Sequence, residues 1–417
     1  MTYFAKLDSG LVVDVHGVRS RQTRVAIVYK AGMRRDPVGR AGLAHLAEHA
    51  FMQSLPEDSV SGRGRGSGLT GWTAHTFTDT VELSVACRPE DVADVIDLLV
   101  TPAPSERVTR SLVDRQRSVV LEELRLQQGH HGGADTWRFL PAQLFSDWGK
   151  GHDGYGSPDM LESYDVHTVA SFLDSHYIPS RCAIGVVTGE ASKVRDTLCR
   201  SDVLERLDAY RSTVSGTVAG PDPDVAFAPV SAFEPPLMGE PLSSAALARR
   251  AHIFGWVLTA MPTYLDVGLF IGVCATINQI AWLNRDVFMA LGYRSVTVNA
   301  GFFDPVRATP PWVCVVTAEP EVGSAGDAEA LWDELSRLVR GAFDPEVHRR
   351  ATALALTDMQ LMLSEASQRA LMHARYWLLG GERFDERYVR SLSTESFELT
   401  RDLSRQFPET PDGQLMI

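Results

Sequence analysis

The order of apolar and polar positions divides the chain into short strands and longer helices. Residues 11–15 and 23–31 are rich in Val and Ile and are separated by the turn-prone 17–20, which predicts two strands. Residues 69–77 and 80–87 are expected to pair as two more strands. Between them and the first pair, 61–68 is a Gly-rich loop expected to move. Pro89 opens a helix to about residue 100, with Glu90 and Asp91 favourably placed in its first turn. A long helix over 106–128 carries Leu112, Val119, Val120 and Leu124 on its inner side. Further helix is expected at 135–145 and 165–176. Tyr177-Ile178-Pro179 then breaks the chain, and 181–189 reads as a buried strand.

Beyond residue 214 the pattern changes and then starts again. Pro221, Pro223, Pro229, Pro235 and Pro236, with several Gly and Ser, make 215–240 an extended Pro/Gly-rich linker. After it come a strand (251–260), a helix (264–282), two strands (293–300, 312–318) and helices (328–340, 346–379). Two halves with the same element order imply an α+β chain of two duplicated domains, 1–214 and 241–417. The most apolar stretch, 252–283, is broken by Pro262 and Asp266. It reads as a buried strand and a buried helix rather than a membrane span.

At 417 residues the chain is too long for one ordinary core, which agrees with two domains. Its 44% hydrophobic and 22% charged content is that of a soluble globular protein. A formal charge of -13 disfavours nucleic acid and anionic membrane as partners. The N-terminus lacks a basic start followed by a long apolar run, so no secretory signal is expected. Cys87, Cys182, Cys199, Cys274 and Cys314 are odd in number and widely spread, as reduced thiols of a cytoplasmic protein would be. Lysine occurs only at Lys6, Lys30, Lys150 and Lys193, against abundant Arg, a bias that suggests a GC-rich bacterial genome.

One stretch carries chemistry. In Gly42-Leu43-Ala44-His45-Leu46-Ala47-Glu48-His49-Ala50-Phe51-Met52, His45 and His49 lie four apart and project from one helix face. Glu48 falls on the same side. Two neutral imidazoles on adjacent turns can hold Zn²⁺, and a carboxylate beside them can take a proton from water. This is the H-x-x-E-H order. A lone helical histidine pair is more often surface or satisfied core, but Leu43, Leu46, Ala50 and Phe51 make this helix a buried one. A third ligand is needed, and Glu122 and Glu123 on the long helix downstream are the candidates. His130 and His131, beside Gly132-Gly133, read as a polar loop without a second metal.

With these residues in view, the chain resembles the pitrilysin superfamily, which includes insulin-degrading enzyme and, in a shorter two-domain branch, mitochondrial processing peptidase. The resemblance covers Ala31-Gly32, Asp36, Gly42-Leu43-Ala44-His45, Trp72-Thr73-Ala74-His75-Thr76, Tyr177-Ile178-Pro179 and the duplicated half. It implies two α/β-sandwich domains forming half of a clamshell chamber. It also implies a zinc endopeptidase with His45, His49 and Glu123 as metal ligands and Glu48 as general base. Glu122 is the alternative ligand. Where the family has a supporting Glu seven residues before the ligand, this chain has Gln116, a hydrogen-bond acceptor without charge. Trp72, Thr73, Ala74 and His75 fall on the strand that binds peptide substrate, with Thr73 in place of the usual Asn.

The resemblance also implies an Arg and a Tyr from the C-terminal half, or from a homologous second subunit, that grip the substrate and its oxyanion. Arg285 and Tyr293 fall there, one residue further apart than usual, a difference of about 100° on a helix. Tyr293 is therefore expected to be kept as a donor and Arg285 to be misdirected or rescued by a bulge, with full activity requiring a second chain in a homo- or heterodimer. The alternative function is a non-catalytic or structural subunit of the same fold. Such subunits usually lose a histidine or the base, whereas His45, Glu48, His49 and Glu123 are all present here.

Overall fold

The computed structural model describes residues 2–56, 69–101, 103–129, 140–145, 148–210, 251–261, 263–301, 305–324, 326–341, 343–385 and 397–416. The Gly-rich 61–68, the linker 215–240, His130, His131 and residues 135–139 of the helix expected at 135–145 lie outside the described residues.

The chain forms two compact units, and they are not the contiguous halves 1–214 and 241–417. Unit 1 comprises Met1–Leu124, Gly154–Ala226 and Leu361–Phe384; unit 2 comprises Arg125–Asp153, Phe227–Gln360 and Asp385–Ile417. Each half of the chain thus lends a segment to the other unit. The hydrophobic pattern alone does not reveal this, because an amphipathic helix specifies an apolar partner and not which one.

Unit 1 is built on six strands: β1 (Thr2–Lys6), β2 (Val12–Gly17), β3 (Thr23–Tyr29), β4 (Thr70–Thr76), β5 (Val81–Cys87) and β6 (Cys182–Thr188). Their order is β1-β2-β6-β3-β5-β4, with β2 and β6 parallel and every other pair antiparallel. The helices are α1 (Leu43–Ser54), α2 (Val92–Leu99), α3 (Arg110–Gly129), α4 (Pro158–Ser163), α5 (Val166–His176), α6 (Ala191–Arg200) and α7 (Val203–Ala209). β3, β5 and β6 are almost wholly buried, which explains their near-continuous apolar runs. Their alternate residues serve two cores. Val25, Ile27, Leu83, Ile184 and Val186 join the large core that includes residues of α1, α2, α3, α5 and α6. Val12, Ala26, Val28, Ala183 and Val187 face the other way. In α3 the expected inner residues Leu112, Val120 and Leu124 are buried, whereas Val119 is exposed because it falls on the outer side of the turn.

Unit 2 holds β7 (His252–Leu258), β8 (Tyr293–Ala300), β9 (Trp312–Pro320) and β10 (Gly413–Met416), with α8 (Val267–Leu283), α9 (Arg285–Ala290), α10 (Ala328–Gly341) and α11 (Pro345–Ser364). The antiparallel order β10-β7-β9-β8 repeats the order β6-β3-β5-β4 of unit 1, so the duplication inferred from element order extends to strand pairing. The helix after the first of these strands is α1 in unit 1 and α8 in unit 2. With the turn before it, α8 makes a stretch, Tyr264–Leu283, that is long and apolar enough to span a membrane by composition, but Val267, Phe270, Val273 and Ile277 are fully buried in the fold, as expected of a core helix. The helix expected over 346–379 is interrupted near Glu365 and resumes as α12 (Ala366–Arg375), followed by a wide turn at Tyr376–Gly380. A last helix, α13 (Phe397–Ser404), precedes β10.

α12 belongs to unit 1, where Ala370, Leu371 and Ala374 cover the second face of the sheet. A Cβ at Gly185 would lie 2.0 Å from the Ala370 carbonyl oxygen, so only glycine on β6 admits the helix at this distance. Two buried carboxylates on the same face receive cations from this segment. Glu82 accepts from two of the three Arg375 side-chain nitrogens, Nε and Nη2, at 2.5 Å each. Asp14 is met by Arg383 at 2.8 Å and by His16 and His373 at 3.2 and 3.4 Å. Burial alone would raise the Asp14 carboxyl, but hydrogen bonds and charge from the two histidines outweigh it and hold the carboxyl below its ordinary range.

Arg375→Met, which removes one member of a fully buried pair, is expected to destabilise the fold by about 3–5 kcal/mol. Chemical denaturation measures this. A loss under about 1 kcal/mol would mean that the contact is not held in solution.

Candidate metal centre

α1 carries the site because its N-terminus is pinned from several directions. Gly42 precedes the helix at φ 88 and offers no side-chain cap. Asp36 supplies one instead, its carboxylate accepting from Gly42 N and Ala44 N at 2.7 Å each, where the helix dipole favours negative charge. A Cβ at Gly42 would meet the Tyr155 carbonyl oxygen at 2.3 Å. The Tyr164 hydroxyl donates to the carbonyl of Ala41. Leu43, Leu46, Ala47, Ala50 and Phe51 then bury the helix against the sheet, leaving His45 and His49 half-buried along its flank.

The imidazoles converge on α3. His45 Nε2 and His49 Nε2 are 3.2 Å apart, and each lies 3.6 Å from Glu123 Oε2. Tetrahedral coordination at about 2.0–2.1 Å separates ligand atoms by about 3.4 Å, so this triangle has the dimensions of a zinc site with one open position. Burial, then the neighbouring His49, pushes His45 down to about 3, which keeps its imidazole neutral and able to ligate. Glu122, the alternative ligand, is exposed one residue earlier on α3, so the helix turns Glu123 and not Glu122 toward the histidines. Gln116 lies buried two turns before Glu123.

Glu48 sits beside this triangle and is 6% exposed. Burial raises its pKa; the charge of His49 and a hydrogen bond from Thr76 act in the opposite direction. Thr76 Oγ1 donates to Glu48 Oε2 at 3.1 Å. Thr76 ends β4, the edge strand of the sheet. On that strand Trp72 and Ala74 pack against the core, while Thr73 and His75 are exposed. Tyr155 stands edge-on to His45 at 5.2 Å between ring centroids. Neither Thr76 nor Tyr155 was singled out from sequence as a site residue. Thr76 carried a signal, as a polar residue on the inward side of an alternating strand; Tyr155 carried none beyond its flanking glycines.

Of the C-terminal pair, Tyr293 is placed differently from expectation. Tyr293 is fully buried within unit 2, its ring closing on Gly326, where a Cβ would come within 2.7 Å of it. Burial, then Asp327, pushes its hydroxyl up to about 12. In this structure that hydroxyl is enclosed and cannot reach a substrate. Arg285 is exposed at the start of α9, its guanidinium 5.3 Å over the Trp282 ring.

Among the described residues a second group, Asp14, His16 and His373, has ligand atoms within metal-bridging reach. The rings of His16 and His373 stack face to face at 3.4 Å, so their in-plane lone pairs do not converge, and Arg383 already occupies the carboxylate. That group is an ion-pair network.

The two carboxylates on α3 make separable expectations. Glu123→Gln is expected to lose bound zinc, and Glu122→Gln to keep it, in elemental analysis of the purified variants. Retention by the first and loss by the second would reassign the ligand.

Comparisons with known proteins bear on this arrangement. Residues 11–146 match the family model described as Insulinase (Peptidase family M16). No curated protein matches the chain in sequence. Among solved structures, a protease from Helicobacter pylori has 15% identity and a TM-score of 0.73, over 100% of this chain and 98% of its own. The periplasmic protease PqqL from Escherichia coli has 15% identity and a TM-score of 0.68, over 100% of this chain and 47% of its own. A chain of complex III2 from Candida albicans has 12% identity and a TM-score of 0.68, over 99% of this chain and 94% of its own. Residues 11–146 thus carry the sequence pattern of that peptidase family, and the chain has the fold of these solved structures along its full length.

Proposed function

We propose that the chain is a zinc-dependent endopeptidase acting on peptides or unfolded segments, leader peptides among them. The convergence of His45, His49 and Glu123 beside the buried Glu48 carries this reading. When bound, zinc supplies a Lewis acid that polarises the scissile carbonyl and makes water nucleophilic at neutral pH. The chain's own residues do the rest. His45, His49 and Glu123 hold the ion and leave one side open. Glu48 accepts the water's proton and returns it to the leaving amine. β4, the outermost strand of the sheet among the described residues, can accept an extended peptide along Trp72, Thr73, Ala74 and His75 as an added strand, giving affinity through backbone hydrogen bonds.

The reading includes a homologous second subunit, homo- or heteromeric, as the other half of the chamber. The likeness over 47% of PqqL supports it, since a chain of this length corresponds to about half of that protease. A cytoplasmic setting belongs to the same proposal. Tyr293 supplies no oxyanion donor in its buried position, so Tyr293→Phe is expected to leave turnover unchanged. Arg285 remains available as a surface cation.

A non-catalytic subunit is the second reading, favoured by the likeness to a chain of complex III2 and by Gln116. One variant separates the two. Glu48→Gln is expected to keep zinc while peptide turnover falls at least about 100-fold. Zinc loss in that variant would mean that Glu48 is a ligand. Absence of zinc-dependent cleavage by wild type, alone and with a homologous partner chain, would leave the non-catalytic reading.

A further inference from the structure

We infer that Thr76 is a positioning residue for the base, and that it ties the orientation of Glu48 to the edge strand β4. Three observations support this assignment. First, the Glu48 carboxylate is buried, and a buried carboxylate with freedom to rotate samples poses in which it cannot reach a water at the metal centre. Thr76 Oγ1 donates to its Oε2 at 3.1 Å, which fixes one oxygen and leaves Oε1 as the acceptor for the water's proton.

Second, Thr76 is itself well held. A β-branched side chain on a strand has few rotamers, so its hydroxyl has a defined direction. Its backbone is in register with Val81 on β5, and the hairpin closes directly beyond it through Phe77 N to Thr80 O. Third, it shares the inward side of β4 with Trp72 and Ala74, which both pack on the core. An apolar residue would suit that side equally well for packing, and the hydroxyl's partner is the base.

The arrangement has a consequence for substrate binding. A peptide added alongside β4 orders the strand whose last residue holds Glu48. Occupancy of the strand and readiness of the base are then coupled through one hydrogen bond, with no movement of the metal ligands. This part rests on the peptidase reading; the positioning of Glu48 by Thr76 does not.

The test uses Thr76→Val, which keeps the shape and removes the donor, and Thr76→Ser, which keeps the donor. Crystal structures of both variants and of wild type report the Glu48 rotamer. Zinc content is measured by elemental analysis, and kcat and KM on a fluorogenic peptide. In Thr76→Val, Glu48 is expected to leave its single orientation and kcat to fall about 10- to 100-fold, with KM and zinc per chain unchanged. Thr76→Ser is expected to keep the wild-type rotamer and a kcat within about three-fold of wild type. If Thr76→Val does not fold, Thr76→Ala takes its place. An unmoved Glu48 in the donor-less variant overturns the assignment. So does a serine variant as impaired as the valine one, which would reduce Thr76 to packing. Wild type that binds zinc and cleaves nothing would remove the peptidase reading while the rotamer comparison still decides the role of Thr76.

Discussion

The site depends on the fixed position of α1. Three candidate ligand atoms within 3.2–3.6 Å of one another tolerate little displacement, and two of the three come from a single twelve-residue helix. Asp36 anchors the start of that helix through two backbone amides, and its apolar side anchors the rest. The third candidate ligand, Glu123, comes from α3, whose Leu112, Val113, Val120 and Leu124 enter the same core. One hydrophobic core therefore sets both halves of the triangle, and the half-buried flank of α1 is left for chemistry.

The opposite side of the unit 1 sheet is supported by a segment from late in the chain. α12 brings Arg375 to Glu82 on β5, the strand that pairs with β4. A buried carboxylate on β5 without a cation would be a large local cost, so the exchanged helix supports the strand beside the candidate substrate edge. The carboxylates Glu82 and Asp14 thus serve as docking points for α12 and the residues after it. Glu123, on the other side of the sheet, belongs to the candidate ligand cluster, and Glu48 lies beside it.

Much of this was legible in the sequence because it rests on local rules. The H-x-x-E-H spacing places two imidazoles on one helical flank whatever surrounds them, and Pro89, Asp165 and Pro179 mark element ends by backbone chemistry alone. The choice between Glu122 and Glu123 could not be made from helical spacing, since it depends on how α3 is rotated against the core. The exchange of α12 was hidden for a related reason. Its Ala370, Leu371 and Ala374 form a stripe that fits any flat apolar surface, and only Gly185 on β6 carries a trace of where it docks. Tyr293 shows the limit of reasoning from resemblance. Its place in the order of elements agrees with a donor role, but the absence of a side chain at Gly326 lets its ring close into the core.

The central claim is that His45, His49 and Glu123 together hold one zinc ion with an open side. Zinc-edge anomalous diffraction from crystals of the purified full chain tests it most directly. The account predicts one anomalous peak per chain, about 2.0–2.1 Å from two imidazole nitrogens and one Glu123 oxygen. A peak ligated by other residues, or none at this triangle in crystals grown with zinc, would contradict it.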